Sequence, residues 1–271
     1  MKRLIVGNGK VSNVIRHEGD VILSRPIIDI RSQDSIRAAL DEHKPDILIN
    51  CAAKTNLEEC QDNKGNAFQT NSVGTSNLLV ECAERKIKFV HISSGCLFDG
   101  NKELSTEDSI PTPRVWYTWT KLWADQFILN YGYQDFLILR PRQLFSAFPS
   151  KSNLITKFAS MSSIKAIKEN NSATCIEDLG LMIEHLIGID ARGVFNCANE
   201  GFLSPYDMAV EIRDRMNPNL QVNEISYEGL LKILPNTRVN TILSLEKLKS
   251  TGFTPRSAHD ALVDCIQRYG K

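Results

Sequence analysis

Tyr117 and Lys121 stand four residues apart in the stretch Tyr117-Thr118-Trp119-Thr120-Lys121. The stretch opens a segment of helical character from about Val115 to Tyr131, stopped by Gly132. Residues at i and i+4 of a helix lie one turn apart on the same face. An ammonium held beside the phenol favours the phenolate and brings the tyrosine down from its reference pKa of about 10. A tyrosine of that acidity is a general acid for ketone reduction near neutral pH. A helix that merely happens to carry a Tyr and a Lys is the other reading of these five residues. The surrounding elements have to decide.

The N-terminus supplies a second site of chemical interest. Arg3-Leu4-Ile5-Val6 is an apolar run of the kind that forms a buried parallel strand, and it enters Gly7-Asn8-Gly9-Lys10-Val11-Ser12 and a helical stretch to about His17. Strand, glycine turn and helix are the context of a dinucleotide fingerprint. Gly7 and Gly9 permit a tight turn and a close approach of backbone N–H groups to a pyrophosphate, with Asn8, Lys10 and Val11 beside them. Ser12 stands where a third glycine is usual. The second strand, Asp20 to Ser24, ends without an acid to hold a ribose 2′-hydroxyl, and Arg25 follows, with Lys10 and Arg31 near. Cations there suit a 2′-phosphate, so NADPH is expected, with NADH as the alternative. Asp29 and Ile30 belong to the same expected cleft.

Further elements alternate. Asp34 to His43 reads as a helix, Pro45 to Asn50 as a buried strand closing in Cys51-Ala52-Ala53-Lys54, and Phe68 to Arg85 as a long helix carrying Asn71. Lys88 to Ile92 is a strand that opens into Ser93-Ser94-Gly95-Cys96, and Phe136 to Arg140 is another. Strands separated by helices imply an α/β fold, a Rossmann-like doubly wound parallel sheet. Beyond Arg140 the spacing predicts helices over Ser150 to Met161, Glu177 to Ile187 and Pro205 to Met216, short strands near Ala166 and over Val194 to Cys197, and a tail of short helices. The expected division is a cofactor domain over 1–145 with returning segments near 165–200. The remainder, mainly 146–271, is a smaller substrate-binding lobe that does not fold independently.

Composition excludes several classes. Lys+Arg and Asp+Glu are 32 each, so no global basic surface exists for nucleic acid. No run of 18 apolar residues occurs, and the chain passes straight into a strand, which points to no membrane span, no signal peptide and a cytoplasmic setting. The seven cysteines lack any C-x-x-C pair, which reads as reduced thiols and no metal site.

In combination the motifs resemble the extended short-chain dehydrogenase/reductases acting on nucleotide sugars, specifically the dTDP-4-dehydrorhamnose reductase family. The resemblance is carried by Gly7–Ser12, Pro45–Ala53, His91-Ile92-Ser93-Ser94, Phe98-Asp99-Gly100, Tyr117 with Lys121, Leu139-Arg140, Gly193–Asn196, Asn199-Glu200-Gly201 and Ser204-Pro205-Tyr206. It implies a catalytic triad of Ser94, Tyr117 and Lys121. Where typical members have Asp-Tyr after the catalytic Ser or Thr, this chain has Gly95-Cys96. That, and Ser152-Asn153-Leu154-Ile155-Thr156-Lys157, is similar to the bifunctional 3,5-epimerase/4-reductases of rhamnose synthesis. The resemblance thereby implies that Cys96 and Lys157 move protons in an epimerisation. Ser94, Gly95, Arg142, Asn153 and Arg238 are then expected on a nucleotide-diphosphate sugar, although a structural salt bridge fits Arg140 or Arg142 equally.

The chemistry follows. A 4-keto group acidifies the hydrogens on C3 and C5, and a thiol and a partly desolvated lysine can exchange them. Ser94 and Tyr117 hold the C4 oxygen, and Tyr117 protonates it when hydride reaches C4. The expected activity is a nucleotide-sugar 3,5-epimerase/4-reductase giving a 6-deoxy-L-hexose, L-rhamnose in the resembled group. A 4-reductase alone, with Cys96 only lining the pocket, and a non-catalytic reductase-like subunit are the alternatives. A homodimer is also open, since related enzymes often pair through the helices that here carry Asn71 and Tyr117.

Overall fold

The computed structural model describes residues 1–100 and 104–271. Two compact units result: 1–97, 111–140 and 186–195 form the first, and 98–110, 141–185 and 196–271 the second.

In the first unit the apolar runs become strands β1 (Arg3–Val6), β2 (Val21–Leu23), β3 (Ile47–Asn50) and β4 (Lys88–Ile92). Every residue of β1, β3 and β4 is buried, as a parallel sheet covered on both faces requires. The six-stranded sheet has the order Gly193–Cys197, Phe136–Pro141, β4, β3, β1, β2. β1 pairs in parallel with β2 on one side and β3 on the other. The chain therefore reverses its direction of travel across the sheet at β1, and a crevice opens at the carboxyl ends of β1 and β3.

The helices of this unit are α1 (Lys10–Ile15), α2 (Gln33–His43), α3 (Leu57–Asp62), α4 (Lys64–Phe68), α5 (Gly74–Arg85) and α6 (Trp116–Asn130). α2 is capped by Ser32 and buries Ile36, Ala39 and Leu40 at helical spacing, in one core with Leu4, Leu48, Leu78 and Phe89. The single helix expected over Phe68 to Arg85 is interrupted. Gln69–Val73 is a π-helical turn in which the Gly74 N–H reaches Gln69 O. The extra residue turns Asn71 and Ser72 towards α6, where they bond Thr120.

α6 matches its expected span, with Gly132 at φ +93° just beyond it. Tyr117, Thr120, Lys121, Ala124, Asp125 and Ile128 make its buried stripe. The opposite face leaves Trp119, Trp123 and Phe127 exposed, with Trp123 edge-on to both Phe68 and Trp116.

Among the described residues the second unit contains three parallel strand pairs: Ser163–Ala166 with Gln221–Glu224, Leu104–Ser105 with Ile242–Leu243, and Leu144–Phe145 with Thr174–Cys175. Residues 98–100 and 104–110 belong here, not with the sheet to which the sequence had attached them. Here Gly100, at φ +82°, packs against a distant segment: a Cβ on it would lie 1.9 Å from Asn240 O. The helix Tyr227–Ile233 and the strand Gln221–Glu224 were not anticipated, since neither has a fully buried face. The core includes Phe145, Ile155, Met208, Ile212 and Leu262. A polar knot crosses it: Cys175 Sγ lies 3.5 Å from Cys265 Sγ and 3.3 Å from Glu177 Oε2. Glu177 also accepts from Ser146 Oγ and the Ala147 N–H, and an Arg256 guanidinium nitrogen sits 3.8 Å from Cys175 Sγ. Cysteine spacing along the chain gave no sign of this cluster. Among the described residues no helix is long and apolar enough to cross a membrane.

Candidate active site

The crevice is built by three strand ends. Gly7 has φ +108°, and a Cβ there would lie 2.7 Å from Ala52 N, so the turn after β1 must be glycine for β3 to approach. The N–H groups expected to face a pyrophosphate are already used: Gly7 donates to Leu23 O at 2.7 Å and Gly9 to Ser12 Oγ at 2.8 Å. Ser12 is therefore more than a small residue in a glycine's place, because its hydroxyl closes the turn and donates back to Gly9 O. A Cβ on Gly9, by contrast, would meet no atom within 4 Å. The two glycines should separate on mutation. Gly7→Ala should lower stability by several kcal/mol, since backbone must move at a strained φ. Gly9→Ala should leave the melting temperature within a few degrees of wild type and act on dinucleotide affinity, measured by calorimetry.

Gly7, Asn8 and Gly9 share one cleft with Arg25, Asp29 and Ile30 after β2 and with Cys51, Ala52, Ala53 and Lys54 after β3. Ser24, Ile28, Arg31 and Thr70 complete its wall. Ser24 and Ile28 were missed because the turn after β2 is irregular, and Thr70 because the π-helical turn was. Lys10 and Val11 are not in that wall; they open α1 behind Gly9. Arg31 grips Asp29 through both nitrogens, at 2.9 and 2.5 Å, and this hydrogen bonding holds the Asp29 carboxyl down at about 2. Arg25 is exposed at the rim.

Asn71, expected on the cofactor, is a brace instead. Fully buried, it accepts from Lys54 N–H at 2.7 Å and donates to Lys54 O and Thr120 Oγ1, both at 2.9 Å. All its polar groups are spent on tying the β3 loop to α6.

The triad residues lie in the same unit. Ser94 follows β4, and its Oγ accepts from Cys96 N–H at 3.1 Å. Gly95 is buried in the short 3₁₀ turn Gly95–Leu97, while Cys96 on that turn is half-buried. Tyr117 and Lys121 follow one another by one turn on the buried stripe of α6. Lys121 Nζ meets His91 Nε2 and Ile92 O, both at 2.9 Å. Burial brings Lys121 down to about 8, opposed by the negative charge of Asp125. The ammonium that the sequence suggested for tuning Tyr117 is thus itself in an unfavourable place. Asp125 is fully buried, which pushes its carboxyl up, and the Arg140 guanidinium opposes this from 3.2 Å. Arg140 belongs to that ion pair, the structural reading of the two left open by the sequence.

The second unit carries the other assigned residues. Asn153 is 1% exposed. Its oxygen accepts from the Ser146 and Ile155 N–H groups, and its nitrogen donates to Ser146 O and Phe148 O. It caps the helix Leu154–Ala159 and clamps the loop before it, so the expected substrate contact gives way to a structural one. Lys157 is exposed in the last turn of that helix, not desolvated. Arg142 donates to Val239 O and Arg238 to Asn236 O.

The family model for the RmlD substrate binding domain matches residues 4–271. The chain belongs to that family. RmlD-type relatives include a dTDP-4-keto-6-deoxy-D-glucose reductase from Streptomyces niveus, 27% identical over 88% of this chain and 84% of its own length. A bifunctional dTDP-4-dehydrorhamnose 3,5-epimerase/reductase from Arabidopsis thaliana is 26% identical over 82% of this chain and 76% of its own. Among solved structures, a dTDP-4-dehydrorhamnose reductase from Clostridium acetobutylicum superposes with a TM-score of 0.89 at 25% identity, covering 98% of this chain and 99% of that one. The α/β fold with its parallel central sheet is therefore the RmlD fold.

Proposed function

We propose that this chain is an NADPH-dependent reductase of a nucleotide-diphosphate 4-keto-6-deoxyhexose. What carries the reading is Tyr117 one turn from Lys121 on α6 with Ser94 at the end of β4, in a chain matched by the RmlD family along nearly its whole length. The cleft residues fit a dinucleotide: open space before Gly9, where a methyl would intrude, and an exposed Arg25 beside an Asp29 already neutralised by Arg31. That charge pattern favours a 2′-phosphate, hence NADPH over NADH. NADPH when bound supplies hydride chemistry. Ser94 Oγ–H donates to the C4 oxygen, and the hydroxyl of Tyr117 gives that oxygen its proton as charge develops there. Lys121 sets, through its own charge, how readily Tyr117 releases it.

The finer reading adds 3,5-epimerisation. Cys96 supports it, being half-buried and next to Ser94 in a turn whose backbone is tied to the Ser94 hydroxyl. Its thiolate would take a proton from carbon and become the thiol while Ser94 and Tyr117 stabilise the enolate oxygen, and Lys157 is assigned the role of returning a proton by family resemblance alone. Turnover in D2O with NADPH and dTDP- or UDP-4-keto-6-deoxyglucose tests this. An L-rhamno product deuterated at C3 and C5 is expected from wild type, and Cys96→Ser should lose label at least at one carbon while still reducing. An unlabelled product reduced only at C4 would return the chain to a 4-reductase and Cys96 to the pocket wall. A homodimer belongs to the same reading, through the exposed Trp119, Trp123 and Phe127 of α6.

A further inference from the structure

Three donors inside the second unit take no part in the proposed reaction. Cys175 ends the strand Thr174–Cys175, Glu177 stands in the first turn of the helix Ile176–Gly188, and Cys265 comes from the helix Ala258–Gln267. Their ligand atoms all lie within 4.8 Å of one another. Cys175 Sγ is 3.5 Å from Cys265 Sγ and 3.3 Å from Glu177 Oε2. Zinc bonds sulfur at about 2.3 Å and carboxylate oxygen at about 2.0–2.2 Å, so neighbouring corners of its tetrahedron are about 3.5–3.8 Å apart. The two closest contacts are already near that spacing.

The surroundings are those of a ligand set. Glu177 Oε1 accepts from Ser146 Oγ–H at 3.1 Å and from the Ala147 N–H at 2.8 Å, which leaves Oε2 for the sulfurs. An Arg256 N–H is directed at Cys175 Sγ from 3.8 Å. Donors placed behind ligands in this way orient them and support a thiolate. The charges agree. Arg256 bonds Asp178 and Asp264, and Arg268 bonds Asp264, so two cations face two carboxylates. Glu177 lies outside that balance. The groups that reach it are a hydroxyl, an amide and thiols, and among the described residues no cation pairs with it.

We propose that Cys175, Glu177 and Cys265 form a zinc site that ties the C-terminal helix Ala258–Gln267 to the strand Thr174–Cys175. Both thiols are free. Each loses its proton to solvent as its Zn–S bond forms, and Glu177 adds an oxygen without losing one. One dication replaces two protons, so the charge of the cluster does not change. The contact with Cys265 and burial push the Cys175 thiol up, so its proton yields only to a cation that prefers sulfur. That selects zinc over magnesium or calcium, whose ligands are oxygens. Three protein donors leave the fourth corner to a water. Both sulfurs are fully buried and Glu177 is partly exposed, so ion and water enter past the carboxylate. Sequence patterns for zinc look for cysteines close together, whereas these two are 90 residues apart.

The test takes the full chain, reduced and stripped with a chelator at neutral pH. ZnCl2 is titrated by calorimetry in two buffers of different ionisation enthalpy, and CoCl2 by absorption. The expected result is one ion per chain, two protons released per zinc, a thiolate-to-cobalt charge-transfer band and a higher melting temperature with zinc. Ser146→Ala keeps all three ligands and should weaken zinc by about tenfold or more. Cys265→Ser should lose most of the charge-transfer band, with a melt in chelator to show that its fold stands. If it does not fold, Glu177→Gln takes its place and should weaken zinc by at least as much as Ser146→Ala. A band left intact by Cys265→Ser, zinc affinity unchanged in Glu177→Gln, or no uptake of either ion by the folded wild-type chain would overturn the proposal.

Discussion

Tyr117→Phe should lower kcat for NADPH-dependent reduction by about 10²–10⁴-fold, the usual worth of a positioned general acid. The hydroxyl sits on a residue 9% exposed, packed beside Cys60 and Ala67. Phenylalanine preserves that contact surface, so the fold and the affinity for NADPH should change little. A fall in kcat with KM nearly constant marks a group that acts in the transition state. Steady-state kinetics beside a thermal melt would separate this from a general loss of structure. If activity and stability fell together, Tyr117 would be a packing residue and the acid would have to be sought elsewhere.

The second large effect is on stability. Arg140→Leu should destabilise the chain by about 3–5 kcal/mol, because it strands a carboxylate inside the protein. Asp125 is fully buried, and Arg140 Nε lies 3.2 Å from its Oδ2. Burial already raises the Asp125 carboxyl above its ordinary range, and removing the cation raises it further. The sign of the pH dependence follows. A carboxyl whose folded pKa is raised binds more protons folded than unfolded, so its contribution to stability is fullest at low pH and is lost as pH rises through the folded value. The gap between Arg140→Leu and wild type should therefore be widest near neutral pH and narrow on acidification, as read by urea melts. The double variant Asp125→Leu with Arg140→Leu should recover part of the loss, since an apolar pair carries no stranded charge.

Much of the fold was legible in the sequence, for physical reasons that can be named. The runs Leu4-Ile5-Val6 and Ile47-Leu48-Ile49 can only be buried strands, and all six of these residues are 1% exposed or less. Gly132 ended α6 as expected because a residue at φ +93° suits glycine. The cleft wall was legible too, since strand ends in a doubly wound sheet meet at the reversal of strand order.

What was hidden depended on partners from elsewhere in the chain. Nothing near Asn71 or Asn153 in sequence shows that Asn71 ties the Lys54 backbone to Thr120 Oγ1, or that Asn153 bonds four backbone groups, and both were expected on ligands. Gly100 was read as part of a motif, but its reason is Asn240, far along the chain. His91 did carry a signal, as a polar residue inside the apolar strand Lys88-Phe89-Val90-His91-Ile92. The hydrogen-bond network around it did not, because Asn50, Thr75 and Lys121 come from three other segments.

The most direct measurement is the transfer of deuterium from NADPH labelled at C4 of the nicotinamide to dTDP- or UDP-4-keto-6-deoxyglucose, with the sugar product read by NMR. The account predicts one deuterium on C4 of a 6-deoxyhexose nucleotide, formed mole for mole with NADP and abolished in step with kcat by Tyr117→Phe. NADPH that stays reduced in the presence of every 4-keto-6-deoxyhexose nucleotide tried, by a protein whose fold is intact, would contradict it.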